Sequence, residues 1–479
     1  MKKKKLKHTL VKNTLILIVS SMIIRILGLV NRVILTRLLG NEGISLYMII
    51  LPSIMLFLSL GSLSLNVTVT KLIAEKKDLS VISRSIKIAI ISSIIVGIVL
   101  IIIAKPLAFS WLKQKDAYYP ILLSVPLIVL TALNSVLRGY FNGIKKVNIR
   151  SISILVEQIV RITLSVILLL YFLDRGIVFA VCITIFAMGI GELGSLIYIT
   201  IMIKKYRPAK LAKTSSSEVL NIAVPITASR LVGNITYFLE PIVFTFALTY
   251  LKFANDEIMF MYSATTAYTL PLITMFSFIS TSIATAIIPN VAEANNNEVG
   301  NYIKKAIYYC ILPAIPLSLI LTSYGTEIMK LIYDTDIGGN KVEKYAILFI
   351  LYYITPPLIS IMQARGRSKK LLKITAFNDL LKIILIFLLP FITKDSLIIA
   401  SLIPVIIIVC MLLYDLKKTY KFKFSSNQIV NLCLIAIIAS LFTIIVKVGN
   451  LHYLLSSILI LIVFLLASFS LRVFRWHNE

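Results

Sequence analysis

Apolar segments long enough to cross a membrane recur along the whole chain and constrain its fold more than any other feature. A helix needs about 20 apolar residues to span a bilayer, and this rule predicts about 14 spans. Hydrophobic residues make up 58% of the 479 residues, and the mean hydropathy of +0.94 is far too high for a soluble protein. We therefore predict an all-α polytopic membrane protein with the approximate spans 13–38, 43–70, 85–104, 119–142, 151–173, 177–203, 219–249, 260–289, 302–324, 343–364, 371–393, 396–415, 427–447 and 452–473.

The net charge of +28 agrees with a membrane topology. With the N-terminus in the cytoplasm, most Lys and Arg fall in inner tails and loops, including 2–5, 204–213, 365–373 and 417–423. An odd number of spans would place the basic C-terminal end outside. We therefore predict an even number of spans, with both termini cytoplasmic. The charge then requires no nucleic-acid partner.

A basic, serine-containing loop at 204–217 is the predicted domain boundary. It separates an N-lobe (1–203, spans 1–6) from a C-lobe (218–415, spans 7–12), which is followed by a C-terminal helix pair (416–479). A weak internal repeat supports two six-helix lobes: RILG at 25–28 pairs with RLVG at 230–233, and VEQIVRI at 156–162 aligns with FNDLLKI at 377–383. Because the copies share one orientation, the predicted lobes are related by an axis along the membrane normal.

Ionisable residues inside the predicted helices are the candidate functional residues. A charge in the middle of a bilayer costs about 3 kcal/mol or more, so such residues usually face a bundle interior or a watery cavity. The basic ones are Arg25, Arg32, Arg161, Arg230 and Lys382, and the acidic ones are Glu157, Glu192, Glu240 and Asp379. No nucleotide-binding loop, zinc spacing or nucleophile motif accompanies them, so we predict no enzyme activity, no cofactor and no metal.

Three of these arginines, Arg25, Arg32 and Arg230, have no acidic residue within one turn of their own helix. They need a partner on another helix, water or an anionic ligand. An anionic ligand suits arginine because the planar guanidinium binds phosphate with two parallel hydrogen bonds. Arg32 lies further toward the outer surface, where a long side chain can also reach the membrane interface.

Two couples of opposite charge can pair along their own helices. Glu157 and Arg161 are four residues apart, and Asp379 and Lys382 are three residues apart. A structural salt bridge would make each buried charge tolerable. The matching positions in the two halves favour a shared role in lining a cavity.

The remaining two acids have different sequence contexts. Glu240 precedes Pro241, so a kinked helix could present a carboxylate beside free carbonyl oxygens as a cation or proton site. The alternative is an ion pair with Arg230 or with another helix. Glu192 lies in the sequence GIGELGS, where small residues permit tight helix packing, and we interpret it as structural.

Four blocks, at 25–52, 138–162, 225–243 and 276–294, resemble the stage V sporulation protein B type of polysaccharide exporter. This family belongs to the MOP superfamily, which also contains MATE drug antiporters and MurJ-type lipid II flippases. The resemblance runs from Asn13 to about Lys382. It implies two six-helix lobes that form a V around a cationic cavity, and an added helix pair that helps to form a groove for a lipid tail.

The resemblance also implies a substrate and site residues. The MurJ-type members carry an undecaprenyl-pyrophosphate-linked peptidoglycan precursor, and Arg25 lies where they have an essential first-helix arginine. Their following Arg-Asp is Asn31-Arg32 here, and their eighth-helix Ala-Asp-Arg corresponds to 264–266, Ala-Thr-Thr. Arg230 would then supply the cation of the second lobe.

These patterns lead to three functional hypotheses. The first is a flippase that moves a lipid-linked oligosaccharide across the membrane by alternating access, with membrane lipids and cell-wall synthesis enzymes as further partners. The second is a MATE-like cation-coupled multidrug antiporter, for which Glu157, Glu240 and Asp379 would be the ion-coupling residues. The third is a non-transporting membrane scaffold for a wall-synthesis complex.

Overall fold

The computed structural model describes residues 2–76, 79–206, 214–449 and 451–471, and all regular structure in these ranges is helical. Short π-helical or 3₁₀ segments occur at Leu107–Trp111, Lys115–Ala117, Leu173–Arg175, Ala264–Thr269, Ala346–Ile354 and Leu389–Phe391. The α-helices are α1 (Lys2–Ser62), α2 (Leu65–Lys76), α3 (Leu79–Pro106), α4 (Tyr118–Leu123), α5 (Val125–Gly143), α6 (Val147–Phe172), α7 (Ile177–Lys205), α8 (Ser216–Tyr250), α9 (Asn255–Ser263), α10 (Leu270–Ile273), α11 (Ser277–Glu293), α12 (Asn296–Tyr333), α13 (Gly339–Tyr345), α14 (Thr355–Ala364), α15 (Ser368–Leu388), α16 (Ser396–Tyr420), α17 (Ser426–Val448) and α18 (Tyr453–Ser470).

Twelve helical segments in the described ranges are long and apolar enough to cross a membrane, or thirteen if 255–293 counts as one broken span. The first, Met22–Lys76, has 55 residues, more than twice the length that a bilayer needs. Gly40 interrupts it with φ 64° and ψ −174°, a conformation essentially confined to glycine. This segment includes part of the predicted span 13–38 and all of the predicted span 43–70. The predicted polytopic all-α class is confirmed, and the predicted count of about 14 is approximate.

The chain forms two compact units, residues 1–263 with 383–392 (unit 1) and residues 264–382 with 393–479 (unit 2). The predicted boundary loop, 204–217, lies partly outside the described residues, which omit 207–213. The division into an N-lobe, a C-lobe and a terminal pair stays a prediction.

In unit 1, an apolar core joins α2, α3, α5 and part of α7. Helix α5 approaches α2 closely because residue 139 is glycine: a Cβ atom there would lie 2.6 Å from the carbonyl oxygen of Asn66. This close contact fixes the position of the helix that carries Asn134 and Arg138. Helices α6 and α7, which carry Glu157 and Glu192, pack against each other.

In unit 2, the main core is built from α11, α12, α14 and α16, and the helices α17 and α18 pack on α12. Ion pairs and hydrogen bonds tie the helix ends together. Arg367 pairs with the buried carboxylate of Asp415 at 2.7 Å, and Lys370 also pairs with it. The Nη1 of Arg365 donates to the carbonyl oxygen of Ala294 at 2.9 Å, which joins the end of α14 to the end of α11.

Candidate anion-binding cavity

A cavity of about 570 Å³ lies within unit 1. Its volume falls in the range of roughly 300–1,000 Å³ that is usual for small-molecule sites. Its walls come from α1, α5, α6, α7 and α8, and they combine apolar side chains with hydroxyl, amide and charged groups. The lining residues are Met55, Leu58, Ser59, Ser62, Leu127, Thr131, Glu157, Arg161, Met188, Glu192, Arg230 and Asn234.

Two acidic side chains in this wall, Glu157 and Glu192, share one arginine, Arg138, which is not among the lining residues. The Nη2 atom of Arg138 lies 2.8 Å from Oε2 of Glu157 and 3.4 Å from Oε2 of Glu192. It also donates to Oγ of Ser195 at 2.7 Å. All three charged side chains are at least 86% buried, so their interaction is screened far less than that of a surface pair.

Neutral groups complete the hydrogen bonding of Glu192. The Nδ2 atom of Asn134 donates to the backbone oxygen of Glu192 at 2.7 Å and to its Oε2 at 2.5 Å. The hydroxyl of Thr131 donates to Oε1 at 3.4 Å. Because each carboxylate oxygen has a donor, the buried charge on α7 is stabilised by α5.

Arg161 lies beside this cluster and lines the cavity. Its Nη1 atom is 3.6 Å from Oε1 of Glu157, and its Nη2 donates to Oε1 of Gln158. The salt bridge predicted between Glu157 and Arg161 is therefore confirmed. At 3.6 Å this pair is looser than the Arg138–Glu157 pair at 2.8 Å, and the two arginines contact different oxygen atoms of Glu157.

Helix α8 contributes Arg230 and, one turn later, Asn234. The Nδ2 atom of Asn234 donates to Oγ of Ser59 at 2.6 Å, which ties α8 to α1 beside the cavity. The Arg230 side chain is exposed and lines the same cavity as Arg161. Two guanidinium groups from different helices thus line one cavity.

The charges of this site favour an anion. By formal charge, Arg138, Arg161 and Arg230 contribute three positive charges, and Glu157 and Glu192 contribute two negative ones. An excess positive charge in a partly apolar cavity attracts anions more strongly than it would in water, since the local dielectric constant is lower. The lining hydroxyl and amide groups of Ser59, Thr131 and Asn234 can add hydrogen bonds to a polar ligand.

The other residues predicted in the first helix do not line this cavity. Arg25 is exposed on α1, and Asn31 and Arg32 are half-buried. The Nη2 of Arg32 lies 3.4 Å from the sulfur of Met48. Their predicted roles in substrate binding stay predictions.

The remaining predicted residues lie elsewhere in the fold. Glu240 is buried in α8 directly before Pro241, but it is not among the residues that line the cavity. Asp379 and Lys382 are half-buried in α15, in unit 2. Their pairing and their ion-coupling or binding roles stay predictions.

Arg138, together with Asn134 and Ser195, is absent from the predicted site. Arg138 lies about one turn from the end of the predicted span 119–142, where a basic residue is usually an interfacial anchor. The spacing of four between Asn134 and Arg138, which puts an amide and a charge on one helix face, was the available signal. Glu192 was interpreted as structural, and in the structure it is a buried member of the ion cluster that also lines the cavity.

The family described as polysaccharide biosynthesis protein matches residues 10–294, more than half of the chain. Stage V sporulation protein B of Bacillus subtilis (strain 168) is 32% identical over 412 residues, which are 82% of this chain and 79% of that protein. Lipid II flippase MurJ of the same organism is 23% identical over 408 residues, which are 75% of this chain and 73% of that protein.

Two solved structures show the same fold. Lipid II flippase MurJ in an inward closed conformation superposes with a TM-score of 0.74 at 18% identity, over 95% of this chain and 99% of that one. A MATE family multidrug resistance transporter in an inward-facing conformation gives a TM-score of 0.61 at 14% identity, over 84% and 100% of the two chains.

The fold and the membrane spans thus define a multi-pass membrane protein that shares the fold of MurJ and of a MATE transporter of the MOP superfamily. The chain belongs to the polysaccharide biosynthesis protein family, of the type that includes stage V sporulation protein B. The relatives whose names state an activity are flippases and transporters rather than enzymes.

Proposed function

We propose that this protein is a flippase for a polyprenyl-pyrophosphate-linked cell-wall precursor, lipid II or a related oligosaccharide. It would move the headgroup from the inner to the outer leaflet of the bacterial cytoplasmic membrane by alternating access. The polyprenyl tail would remain in the lipid during this movement. Both termini would lie in the cytoplasm, and cell-wall synthesis enzymes would supply or consume the substrate.

One observation carries the proposal: Arg161 and Arg230 line a single cavity of about 570 Å³, and the two acids in its wall are paired with a third arginine, Arg138, so that the formal charges of the site sum to a positive value. Two guanidinium groups suit a pyrophosphate, because each can bind one phosphate group through paired hydrogen bonds. The volume is adequate for the pyrophosphate and an adjoining sugar, and the apolar patches of Met55, Leu58 and Leu127 suit the first carbons of the lipid.

Arg25 remains the proposed first contact of the substrate, because the family resemblance relates it to an essential first-helix arginine. Asn31 and Arg32 would assist it on the same helix, and Lys382 would act from α15. The acids Glu157, Glu240 and Asp379 are the proposed ion-coupling residues. Among these residues, Glu157 lines the same cavity as Arg161 and Arg230, which supports a link between ion binding and substrate binding.

Translocation by the purified protein tests this proposal. In proteoliposomes containing fluorescent lipid II, we expect headgroups to become accessible on the outer face at a rate well above that of empty vesicles. Arg161→Gln and Arg230→Gln should each reduce the rate by about tenfold or more, because each removes a charge from the binding cavity. Arg84→Gln, which removes an exposed charge from α3, is the control. Equal rates in the wild type and in both cavity variants would overturn the role of these arginines.

The role of Arg25 needs its own comparison. Arg25→Ala should strongly reduce translocation, whereas Arg37→Ala, which removes an exposed arginine further along the same helix, should leave most of it. Full translocation by Arg25→Ala would contradict the role proposed for this residue.

The alternative is a cation-coupled multidrug antiporter, since a MATE transporter shares the fold. This function needs acidic groups that are available to cationic drugs. Glu157 and Glu192 in the cavity are instead paired with Arg138, which favours the anionic substrate. Drug resistance that rises on expression and disappears in Glu240→Gln would favour the antiporter.

A further inference from the structure

Arg138 belongs to a cluster of four charged residues with Glu157, Arg161 and Glu192. Of these four described residues, Arg138 alone is not among those that line the cavity. Its side chain is 14% exposed, and it reaches the two carboxylates from the side of α5. It cannot be explained as a membrane anchor, because its guanidinium is engaged by Glu157, Glu192 and Ser195. Arg138 can therefore affect the charge of the cavity through Glu157 and Glu192, which line it.

The charge balance shows what this action would be. Without Arg138, the lining residues carry two negative charges, on Glu157 and Glu192, and two positive charges, on Arg161 and Arg230. Such a cavity would be neutral, and its acids would compete with any anion for the two arginines. With Arg138 present, the positive charges exceed the negative ones by one. Arg161 and Arg230 line the cavity, whereas Arg138 pairs with the two acids from outside the lining. The excess positive charge is therefore available to a ligand in the cavity.

The hydrogen-bond distances agree with this division of roles. Glu157 is 2.8 Å from Arg138 but 3.6 Å from Arg161, so its stronger partner is the arginine outside the cavity lining. Glu192 receives its remaining hydrogen bonds from Asn134 and Thr131. The acids are thus held mainly from α5, and Arg161 makes only a loose ion pair with Glu157 beside the hydrogen bond that its Nη2 donates to Gln158.

We propose that Arg138 is a positioning residue that gives the cavity its preference for anions, by neutralising Glu157 and Glu192 from behind the wall. This inference rests on the proposed function for the identity of the ligand. It goes beyond that function in assigning the selectivity to a residue that does not touch the substrate. Removing Arg138 should abolish this preference, because the formal charge of the lining would then be zero and the two acids would compete with an anion for Arg161 and Arg230.

Binding by the full-length protein in a non-ionic detergent tests the inference, with inorganic pyrophosphate as the anionic probe and tetraphenylphosphonium as the cationic one. Arg138→Gln should weaken pyrophosphate binding by about tenfold or more and raise the affinity for the cation above that of the wild type, because the net positive charge at the cavity is lost. Arg138→Lys should retain much of the pyrophosphate affinity because it keeps the charge. Arg84→Gln, an equal loss of charge outside the cavity, should bind like the wild type.

If Arg138→Gln folds poorly, removal of one acid still tests the inference. Glu192→Gln alone should bind pyrophosphate more tightly than the wild type, because the positive excess grows by one. The double variant Arg138→Gln/Glu192→Gln restores the original balance, and its affinity should return to within about threefold of the wild type. A purely structural role of Arg138 would not be rescued in this way.

The outcomes separate this inference from the proposed function. If the double variant binds pyrophosphate as weakly as Arg138→Gln, or if Glu192→Gln does not gain affinity, the charge-setting role is wrong. If the wild type does not bind pyrophosphate but Arg138→Gln gains cation binding, the role of Arg138 stands and the pyrophosphate flippase is wrong.

Discussion

Asn134 holds a buried carboxylate in a single position. Its amide donates to both the backbone oxygen and the side chain of Glu192, so two of its hydrogen bonds converge on one residue of α7. Hydrogen bonds to buried charged groups contribute about 1.5–3 kcal/mol each, more than neutral ones. The stability of the ion cluster therefore depends strongly on a neutral residue.

Replacement of this residue gives a prediction at the residue scale. Asn134→Ala should lower the free energy of unfolding by about 2 kcal/mol or more, because it leaves a buried carboxylate with fewer donors. Thr131→Val, which removes only a 3.4 Å contact to the same carboxylate, is the matched control and should cost less than about 1 kcal/mol. Thermal unfolding in detergent, followed by circular dichroism, measures both. A similar loss in the two variants would contradict the importance given to Asn134.

Close helix packing brings the cluster together at the scale of single elements. A Cβ atom at Gly191 would lie 2.8 Å from the carbonyl oxygen of Glu157 and 3.0 Å from Cβ of Arg161. Helices α6 and α7 therefore touch where their charged residues meet. The tight packing predicted from GIGELGS is confirmed at this glycine.

A single methyl group tests this contact. Gly191→Ala should force α6 and α7 apart and destabilise the protein by about 1–3 kcal/mol. Gly189→Ala, on the same helix but with no atom within 4 Å of the new Cβ, should be neutral or slightly stabilising, since alanine favours helix. The difference in apparent Tm between the two variants is the measurement. Equal Tm values would show that α6 and α7 can separate without cost.

The connection between α15 and α16 is fastened to α13 by one acid. Asp395 accepts hydrogen bonds from Nζ of Lys344 and from the hydroxyl of Tyr345, both at 2.9 Å. Burial raises the pKa of the Asp395 carboxyl, but these two hydrogen bonds and the charge of Lys344 outweigh burial and leave the pKa below its usual value. The ionised form is therefore the one that stabilises the fold.

The sign of this pKa shift predicts a dependence on pH. A lowered pKa contributes stability above the unfolded value of about 3.9, and this contribution is lost as the pH falls through the lower folded value. The Tm of the wild type should thus exceed that of Asp395→Asn at pH 7, and the difference should vanish on acidification below about pH 4. Asp336→Asn removes a 65% exposed acid that lies 3.7 Å from Lys330, and it should show little difference at either pH. A difference for Asp395→Asn that persists at low pH would show that its ionisation is not the cause.

At the scale of the whole molecule, the positive-inside rule assigns each connection to one side of the membrane. Lys146 lies in the connection between α5 and α6, which the rule places inside, and Asp174 lies in the connection between α6 and α7, which it places outside. Both side chains are exposed.

Cysteine labelling in intact bacteria checks this topology. In a variant whose native cysteines (Cys182, Cys310, Cys410 and Cys433) are replaced by alanine, Asp174→Cys should react with an impermeant maleimide. Lys146→Cys should react only after permeabilisation. The opposite labelling pattern would show that the topology is inverted, with both termini outside.

Apolar segment length and charge distribution determined the class of this protein by themselves. A bilayer accepts only long helices that satisfy their own backbone hydrogen bonds, so hydropathy alone identified a polytopic helical chain. Local spacing also predicted the Glu157–Arg161 pair, because four residues along a helix bring two side chains together.

The tertiary structure alone decided which charges share a site. Arg138, Glu157 and Glu192 come from three helices and are far apart in the chain, so no helical periodicity links them. Arg230 joins Arg161 at one cavity, although 69 residues separate them, because the Asn234–Ser59 contact holds α8 on α1. Hydropathy predicts whether a helix can span the membrane, but it does not predict which face of that helix packs against which other helix. That choice depends on packing details such as the missing side chain at Gly191, where a larger residue would keep the two charged helices apart.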